Sequence, residues 1–471
     1  MRTECNANQI EFEALGWRRV VASFDGARVS SDAGMVLLHE VDRRSGLLAK
    51  FAACFTDHRR PELIAHEVTE LLRQRVFGLC CGYEDLNDHA TLRDDPLLAA
   101  VSGKPDASGN DRGGRDQGHP LASPSTLNRL ELTPADASAG SRYRKIVYDS
   151  AKLADFFVEA YIASQVSAPA EVVLDLDATD DPIHGTQEGR FFHGYYGNYC
   201  YLPLYVFADD FLLCAKLRPS NIDGSAGALE EVKRIAQKLR DAWPGVRIVL
   251  RADSGFARDE LMHWCEENEV DFVFGLARNT RLQSLIASEL EAAKVASEQT
   301  QQAARSYVEL RYCTHKSWSR KRRVIAKAEH VLDKSNPRFV VTSLSEQRWA
   351  AKALYEEFYC ARGDMENRIK EQQMDLFADR TSAHTMRANQ LRLWFASLAY
   401  TLMNLLRRFG LEGTELARAQ AGTIRVRLLK LGAVVRVSVR RVWLSLSAAS
   451  PVRELFARIV ANLRQRFPKP S

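Results

Sequence analysis

Cysteine is sparse in this sequence. Its nine cysteines among 471 residues stand singly, apart from Cys80-Cys81, and no C-x-x-C occurs. That spacing offers neither a structural zinc site nor a thioredoxin motif. An odd count with no secretory signal reads as reduced thiols filling the core of a cytoplasmic protein. Long apolar runs are also missing. The longest, Leu393 to Leu406, is broken by Asn404 and falls short of the roughly 18 residues a span needs, which excludes a membrane protein and a membrane partner. The opening MRTECNANQIEFE has no apolar h-region, and no internal repeat is present. Net charge is small, with 65 basic against 60 acidic residues; 46% of the chain is hydrophobic and 27% charged. This is globular composition, not that of a disordered or collagenous chain, and the length suggests roughly three domains of about 150 residues.

The small net charge hides an asymmetry. From Arg407 to Ser471 there are 14 Lys or Arg and three Glu, a balance of +11, so the preceding residues sum to −6. A basic tail on a mildly acidic body points to a polyanion partner, nucleic acid first.

Residues 1–100 read mostly helical, with Ser31-Asp32 able to cap one helix and Leu63, Ile64, Val68, Leu71, Leu72 and Val76 at helical spacing in another. Residues 102–120 are rich in Gly, Asp and Ser and read as a linker, followed by a short helix from Ser125. From Glu171 the pattern becomes an α/β layer of mixed strand order. Its expected strands are 171–177, 201–207, 212–217, 246–253 and 271–276, with helices over 228–243 and 258–267. Residues 280–335 interrupt this with a polar helix and the basic run Lys316 to Arg323. A strand over 339–344, a long helix over 350–373 and a buried apolar helix over 391–406 follow. Thr423 to Leu446 alternates basic or Ser with apolar residues around Gly432 and reads as a β-hairpin with a basic face; an amphipathic helix starts at Pro451.

Three acidic positions stand at element ends. Asp175 and Asp177 share one face of the first strand with Val173. Asp253 closes an apolar strand, where α/β folds place ligands or where Asp simply caps a loop. On the long helix, Tyr359, Arg362, Glu366, Lys370 and Gln373 fall in a polar stripe about 80° wide. If that stripe faces the sheet, Glu366 is the carboxylate it delivers; otherwise it is an exposed ion-pair ladder. Two strand-end aspartates and a helix glutamate would suit two Mg²⁺ ions, hard cations that prefer oxygen ligands and act on phosphodiesters.

Asp175-Leu176-Asp177-Ala178-Thr179 also matches the nucleophile motif of haloacid-dehalogenase-like phosphatases. Against this, about 170 residues precede the motif, and no Gly-Asp-x-x-x-Asp loop follows it.

Over most of its length the chain resembles the DDE transposases of bacterial insertion sequences, and insertion-sequence family 1380 most closely. The resemblance is carried first by Ser31-Asp32-Ala33-Gly34, Gln74 to Gly78, Gly82 to Asp85, Leu92 to Pro96 and Ser123 to Glu131. It continues through Asp175 to Pro182 with His184-Gly185, then Arg251 to Phe256 and Tyr359 to Glu371. It implies a ribonuclease H-like mixed sheet flanked by helices, divided as follows. A helical DNA-binding region occupies 1–150. The catalytic core runs over 165–279 and resumes over 351–410. A mainly β subdomain is inserted at 280–350, and a basic C-terminal region spans 411–471.

The resemblance also implies Asp177, Asp253 and Glu366 as catalytic and metal-holding residues, with Asp175 the alternative to Asp177. Tyr359, Arg362 and Lys370 would position phosphate, Gln373 standing where related enzymes carry Lys. The cofactor would be two Mg²⁺, replaceable by Mn²⁺, and the partner double-stranded DNA, as terminal inverted repeats and target, engaged by a homodimer. Ser125 and Arg129 would lie on a helix-turn-helix recognition helix. Trp318 would stack on a flipped base beside Arg320, Lys321, Arg322 and Arg323. A transposase-derived DNA-binding regulator without catalysis is the second reading.

Overall fold

The computed structural model describes residues 9–331 and 334–467. Its centre is one mixed sheet. In spatial order the strands are Phe211–Lys216, Leu204–Ala208, Glu171–Ala178, Arg247–Ala252, Val270–Leu276, Arg338–Thr342, Arg322–Val331 and Ala304–Tyr312. Arg247–Ala252 runs parallel to both its neighbours, and every other pair is antiparallel. The five strands expected from alternation and apolar content therefore all form, within a few residues at their ends. Period-2 geometry divides their side chains. Leu174, Leu176, Leu250, Ala252, Phe272 and Phe274 enter the main core. Val249, Val273, Ile325 and Val340 turn to the other face, where they pack under Leu354, Tyr355 and Phe358.

Residues 280–350 do not make a separate subdomain. After helices Thr280–Leu285 and Ala287–Thr300, their long strands add to the edge of the same sheet, because Arg338–Thr342 pairs directly with Val270–Leu276. The expected long helix is continuous in path but not in kind. It runs as α over Ala351–Ala353, widens to a π-turn over Leu354–Tyr359, tightens to 3-10 over Cys360–Arg362, and resumes as α over Gly363–Leu376. Such interruptions concentrate at functional sites.

Residues 9–150 share one apolar core with the central sheet and the C-terminal helices. Helix Met386–Leu405, buried along nearly its whole length, runs through the molecule. Phe51 meets Phe395 at 6.2 Å, and Tyr148 meets Trp394 edge-on at 5.5 Å. The chain begins its described part not with helix but with an exposed hairpin, Gln9–Leu15 and Arg18–Ser23, turned at Gly16 with positive φ. Residues 102–120 are packed, not a free linker. Lys104 is buried against Glu70, and Arg112 donates to the Ala65 carbonyl at 2.5 Å. Asp106 accepts the N–H groups of Ser108 and Asn110 at 2.8 Å, the turn chemistry that Gly-Asp-Ser composition favours.

The C-terminal region also differs from expectation. Gly432 is not the hairpin turn. Residues 421–429 are helical, and the hairpin is Ala433–Ser438 with Arg441–Leu446, turning at Val439-Arg440. Its base adds Val29–Ser30 as a third strand. The neighbouring Ser31-Asp32-Ala33-Gly34 segment lies against 428–431. Lys430 reaches Asp32 at 2.8 Å, and a Cβ on Gly34 would collide with the Leu428 carbonyl. Helix Arg453–Arg466 follows as its amphipathic pattern predicts. Among the described residues no helix is long and apolar enough to cross a membrane. Six of the eight described cysteines are buried and all are free thiols; Cys5 lies outside the described residues.

Candidate active site

Strand geometry brings Asp175 and Asp177 to the face covered by the helical segment 351–376, but their environments differ. Asp175 is 3% exposed and is held by Arg251, whose Nε and Nη2 donate to its two oxygens at 2.6 and 2.8 Å. Arg251 also donates to the Phe358 carbonyl at 2.6 Å, locking sheet to helix. Among the described residues Asp177 accepts only the N–H of Ala178, at 3.0 Å. One aspartate is therefore tied into the scaffold and the other is free for a ligand. Strand parity alone could not separate them.

Asp253 ends Arg247–Ala252 and caps the short turn Ser254–Phe256, accepting the Gly255 N–H at 2.9 Å. The capping reading is thus fulfilled without excluding a second role, since one cap bond leaves most of a carboxylate's accepting capacity unused. Arg362 donates to Glu366 at 2.8 Å; its side chain is 19% exposed and that of Glu366 45%.

Electrostatics unite the three carboxylates. Burial pushes the Asp177 carboxyl up to about 7, with repulsion from Asp253 and Glu366 adding to it and Arg362 opposing it. Burial works to lower the Arg362 guanidinium, but Asp177, Tyr359, Glu366 and Asp253 together hold it above its ordinary value. Burial raises the Tyr359 phenol, helped by Asp253 and opposed by Arg362. Asp175 is raised by burial against the pull of Arg251. Among the described residues, no three His, Cys, Asp or Glu side chains already group tightly enough to hold a metal ion. Arg362 supplies the positive charge that the cluster needs. The donor set itself, carboxylate oxygens without sulfur or imidazole, fits Mg²⁺ or Mn²⁺.

Other residues of the polar stripe separate. Gln373 donates to the Asp180 carbonyl at 3.2 Å, tying the helix to the end of the Asp177 strand, whereas Lys370 is exposed and forms no ion pair among the described residues. Glu371, off the stripe, is a scaffold residue, bound by Arg407 and by the Ala421 N–H, each at 2.7 Å. Sequence reasoning missed Gly275. A Cβ there would stand 2.5 Å from the Tyr359 hydroxyl and 3.0 Å from the Ser254 nitrogen, so this position lets helix and Asp253 turn close together. The available signal was a lone glycine inside the apolar strand VDFVFGL.

The expected DNA contacts fare unevenly. Trp318 is 9% exposed, edge-on to Tyr312 at 5.7 Å and beneath Arg322, so it is a core residue and not a base-stacking one. Arg322 is buried between Asp259 at 2.6 Å and Glu266 at 2.7 Å. Arg323 is buried against Glu309 at 2.5 Å. Arg322 fastens its strand to helix Asp259–Glu267, and Arg323 ties it to the neighbouring strand Ala304–Tyr312. Of the basic run, Lys316, Arg320 and Lys321 are exposed, and Arg320 leans on Glu266 at 3.3 Å. Helix Pro124–Glu131 is not a helix-turn-helix element. The preceding α-helix ends at Ser102, with only the 3-10 turn Gly114–Asp116 between, and buried Glu131 pins helix Pro124–Glu131 through Arg75 at 3.0 Å and Arg392 at 2.7 Å. Ser125 is exposed, while Arg129 is half-buried over the Tyr143 ring at 5.1 Å.

A mixed sheet with a crowded, incompletely neutralised carboxylate cluster at its strand ends defines a class of α/β proteins built around acidic centres. The model of one such family, transposase DDE domain group 1, matches residues 12–468. The chain belongs to that family. No curated protein matches it. Among solved structures, the cryo-EM piggyBac transposase synaptic complex with hairpin DNA is similar at a TM-score of 0.40 and 9% identity, over 93% of this chain and 82% of that one.

Proposed function

We propose that this transposase binds the terminal inverted repeats of a bacterial insertion sequence, of the family-1380 branch, and catalyses DNA cleavage and strand transfer as a homodimer. Its core is read as ribonuclease H-like, a reading supported by three antiparallel strands flanked by two parallel ones. Asp177, Asp253 and Glu366 are the catalytic residues and would hold two Mg²⁺. When bound, these ions would activate the attacking oxygen and stabilise the leaving one. Tyr359 and Arg362 position the DNA backbone at this centre. Arg362 exchanges its hold on Glu366 for a phosphate oxygen as DNA enters, a swap its forked donors suit. Asp175 and Arg251 hold the strand and helix in register.

The observation that carries this reading is the half-buried Asp177, which has no side-chain hydrogen bond among the described residues and is pushed up to about 7 beside Asp253 and Glu366. It is a carboxylate kept ready for a cation, while its strand neighbour Asp175 is neutralised by Arg251. The test is excision from a plasmid carrying the gene's native flanks, comparing wild type with Glu366→Gln, with and without Mg²⁺. Metal-dependent excision by wild type alone is the expected result. No excision by either, with binding to the flanks intact, would leave the DNA-binding regulator without catalysis as the better reading.

A further inference from the structure

The hairpin Ala433–Ser438 with Arg441–Leu446 has two unlike faces. Register pairs Arg436 with Trp443 and Ser438 with Arg441, so these four side chains share one face. Val435, Val437, Val442 and Leu444 share the other. The base is anchored, since Ala433 and Val435 are buried and Val29–Ser30 pairs there. Beyond it, every residue from Arg436 to Trp443 is exposed. Trp443 is 57% exposed, and a shallow recess of about 430 Å³ is lined by Arg436, Val437, Ser438, Arg441 and Trp443. No Asp or Glu occurs between Lys430 and Leu446. None of Arg436, Arg440 and Arg441 forms an ion pair among the described residues.

We infer that this hairpin is a DNA-binding ribbon that lays its Arg436–Arg441–Trp443 face against the backbone and groove of duplex DNA. The inference rests on the transposase reading and deepens it by naming where the duplex is gripped away from the carboxylates. Charge complementarity selects the occupant: three arginines without an ion pair among the described residues, on an anchored, protruding ribbon with no acidic residue of its own, match a polyanion. Shape agrees, because the major groove, about 12 Å wide, admits a two-stranded β-ribbon. Arg440 at the turn and Arg441 meet phosphates, while Trp443 supplies apolar contact beside Arg436.

The test measures binding of the full chain to a labelled duplex of about 40 base pairs between roughly 50 and 200 mM salt. R436A/R440A/R441A should weaken binding at least about tenfold and flatten the slope of log affinity against log salt by up to about 2.7, roughly 0.9 for each lost phosphate contact. Trp443→Ala should weaken binding with the slope unchanged. All substituted ribbon residues are exposed, and an unchanged melting temperature confirms the fold. If the triple variant keeps wild-type affinity and slope while wild type cuts DNA, the ribbon proposal fails and the transposase reading survives. If wild type neither binds nor cuts any duplex, both fail. A triple variant that instead loses self-association without DNA would show that the ribbon covers a second copy and overturn the inference.

Discussion

The two halves of the central sheet handle charge in opposite ways. In the outer half each buried cation is matched: Arg322 with Asp259 and Glu266, Arg323 with Glu309, Lys327 with Glu329 at 2.7 Å. In the inner half Asp177, Asp253 and Glu366 share one guanidinium, that of Arg362, and Asp177 has no side-chain partner among the described residues. Matched charges hold elements together, whereas an acidic surplus kept in a fold costs stability and marks a place that something else completes. Arg322 and Arg323, from the basic run that looks like a nucleic-acid patch in the sequence, are held in ion pairs within the fold, whereas the few carboxylates that look like ordinary caps carry the unmatched charge.

The largest expected effect tests the inner half. Asp177→Asn, Asp253→Asn or Glu366→Gln should each lower DNA cleavage on the order of 10³-fold with the fold retained. Gel assays of end cleavage beside circular dichroism would show this. Cleavage that survives all three substitutions would make the inner cluster as structural as the outer one.

Next in size is Arg322→Ala in the outer half. It leaves Asp259 without its cation and Glu266 with only the exposed Arg320, so urea unfolding should show a loss of roughly 3 kcal/mol. Cleavage per folded molecule should stay unchanged. A loss below about 1 kcal/mol would mean these pairs are not what fastens the edge.

The third effect is a pH dependence belonging to the inner half. Asp177 titrates at about 7 in the fold, above its ordinary 3.8, so its protonated form favours folding. That contribution is complete below about pH 4 and lost as pH rises through 7. Without metal, wild type should melt at a lower temperature at pH 8 than at pH 6, and Asp177→Asn should flatten the difference. Added Mg²⁺ should restore wild type at pH 8 but do little at pH 5.5, where the proton outcompetes it. Identical melting of wild type and Asp177→Asn at all pH values would remove the strained-carboxylate account.

Much of the inner half was readable in the sequence because its signals are local. Alternation in Glu171–Ala178 put both aspartates on one face, and helical spacing put Glu366 opposite it. The choice of Asp177 over Asp175 was hidden because the deciding residue, Arg251, lies 76 positions away. The same reason hid the fate of Arg322, whose acidic partners sit on helix Asp259–Glu267, more than 50 residues upstream. The π-turn over Leu354–Tyr359 left no mark either, since periodicity cannot register one extra residue per turn. Composition misled at 102–120, where turn-forming residues build a packed loop, and glycine misled at Gly432, where the real turn uses Val439-Arg440.

The smallest expected effect separates two adjacent residues. Lys321 is exposed and forms no ion pair among the described residues, while Arg322 beside it is buried. Lys321→Ala should change unfolding free energy by less than about 0.5 kcal/mol, against roughly 3 kcal/mol for its neighbour. If the exposed rim of the outer half touches the DNA backbone, the same substitution removes one phosphate contact, lowering the salt slope of binding by about 0.9 with no loss of sequence preference. A slope equal to wild type would confine backbone contacts to the carboxylate centre and the C-terminal ribbon, making the outer half purely a frame that keeps Arg338–Thr342 paired to the strand carrying Gly275.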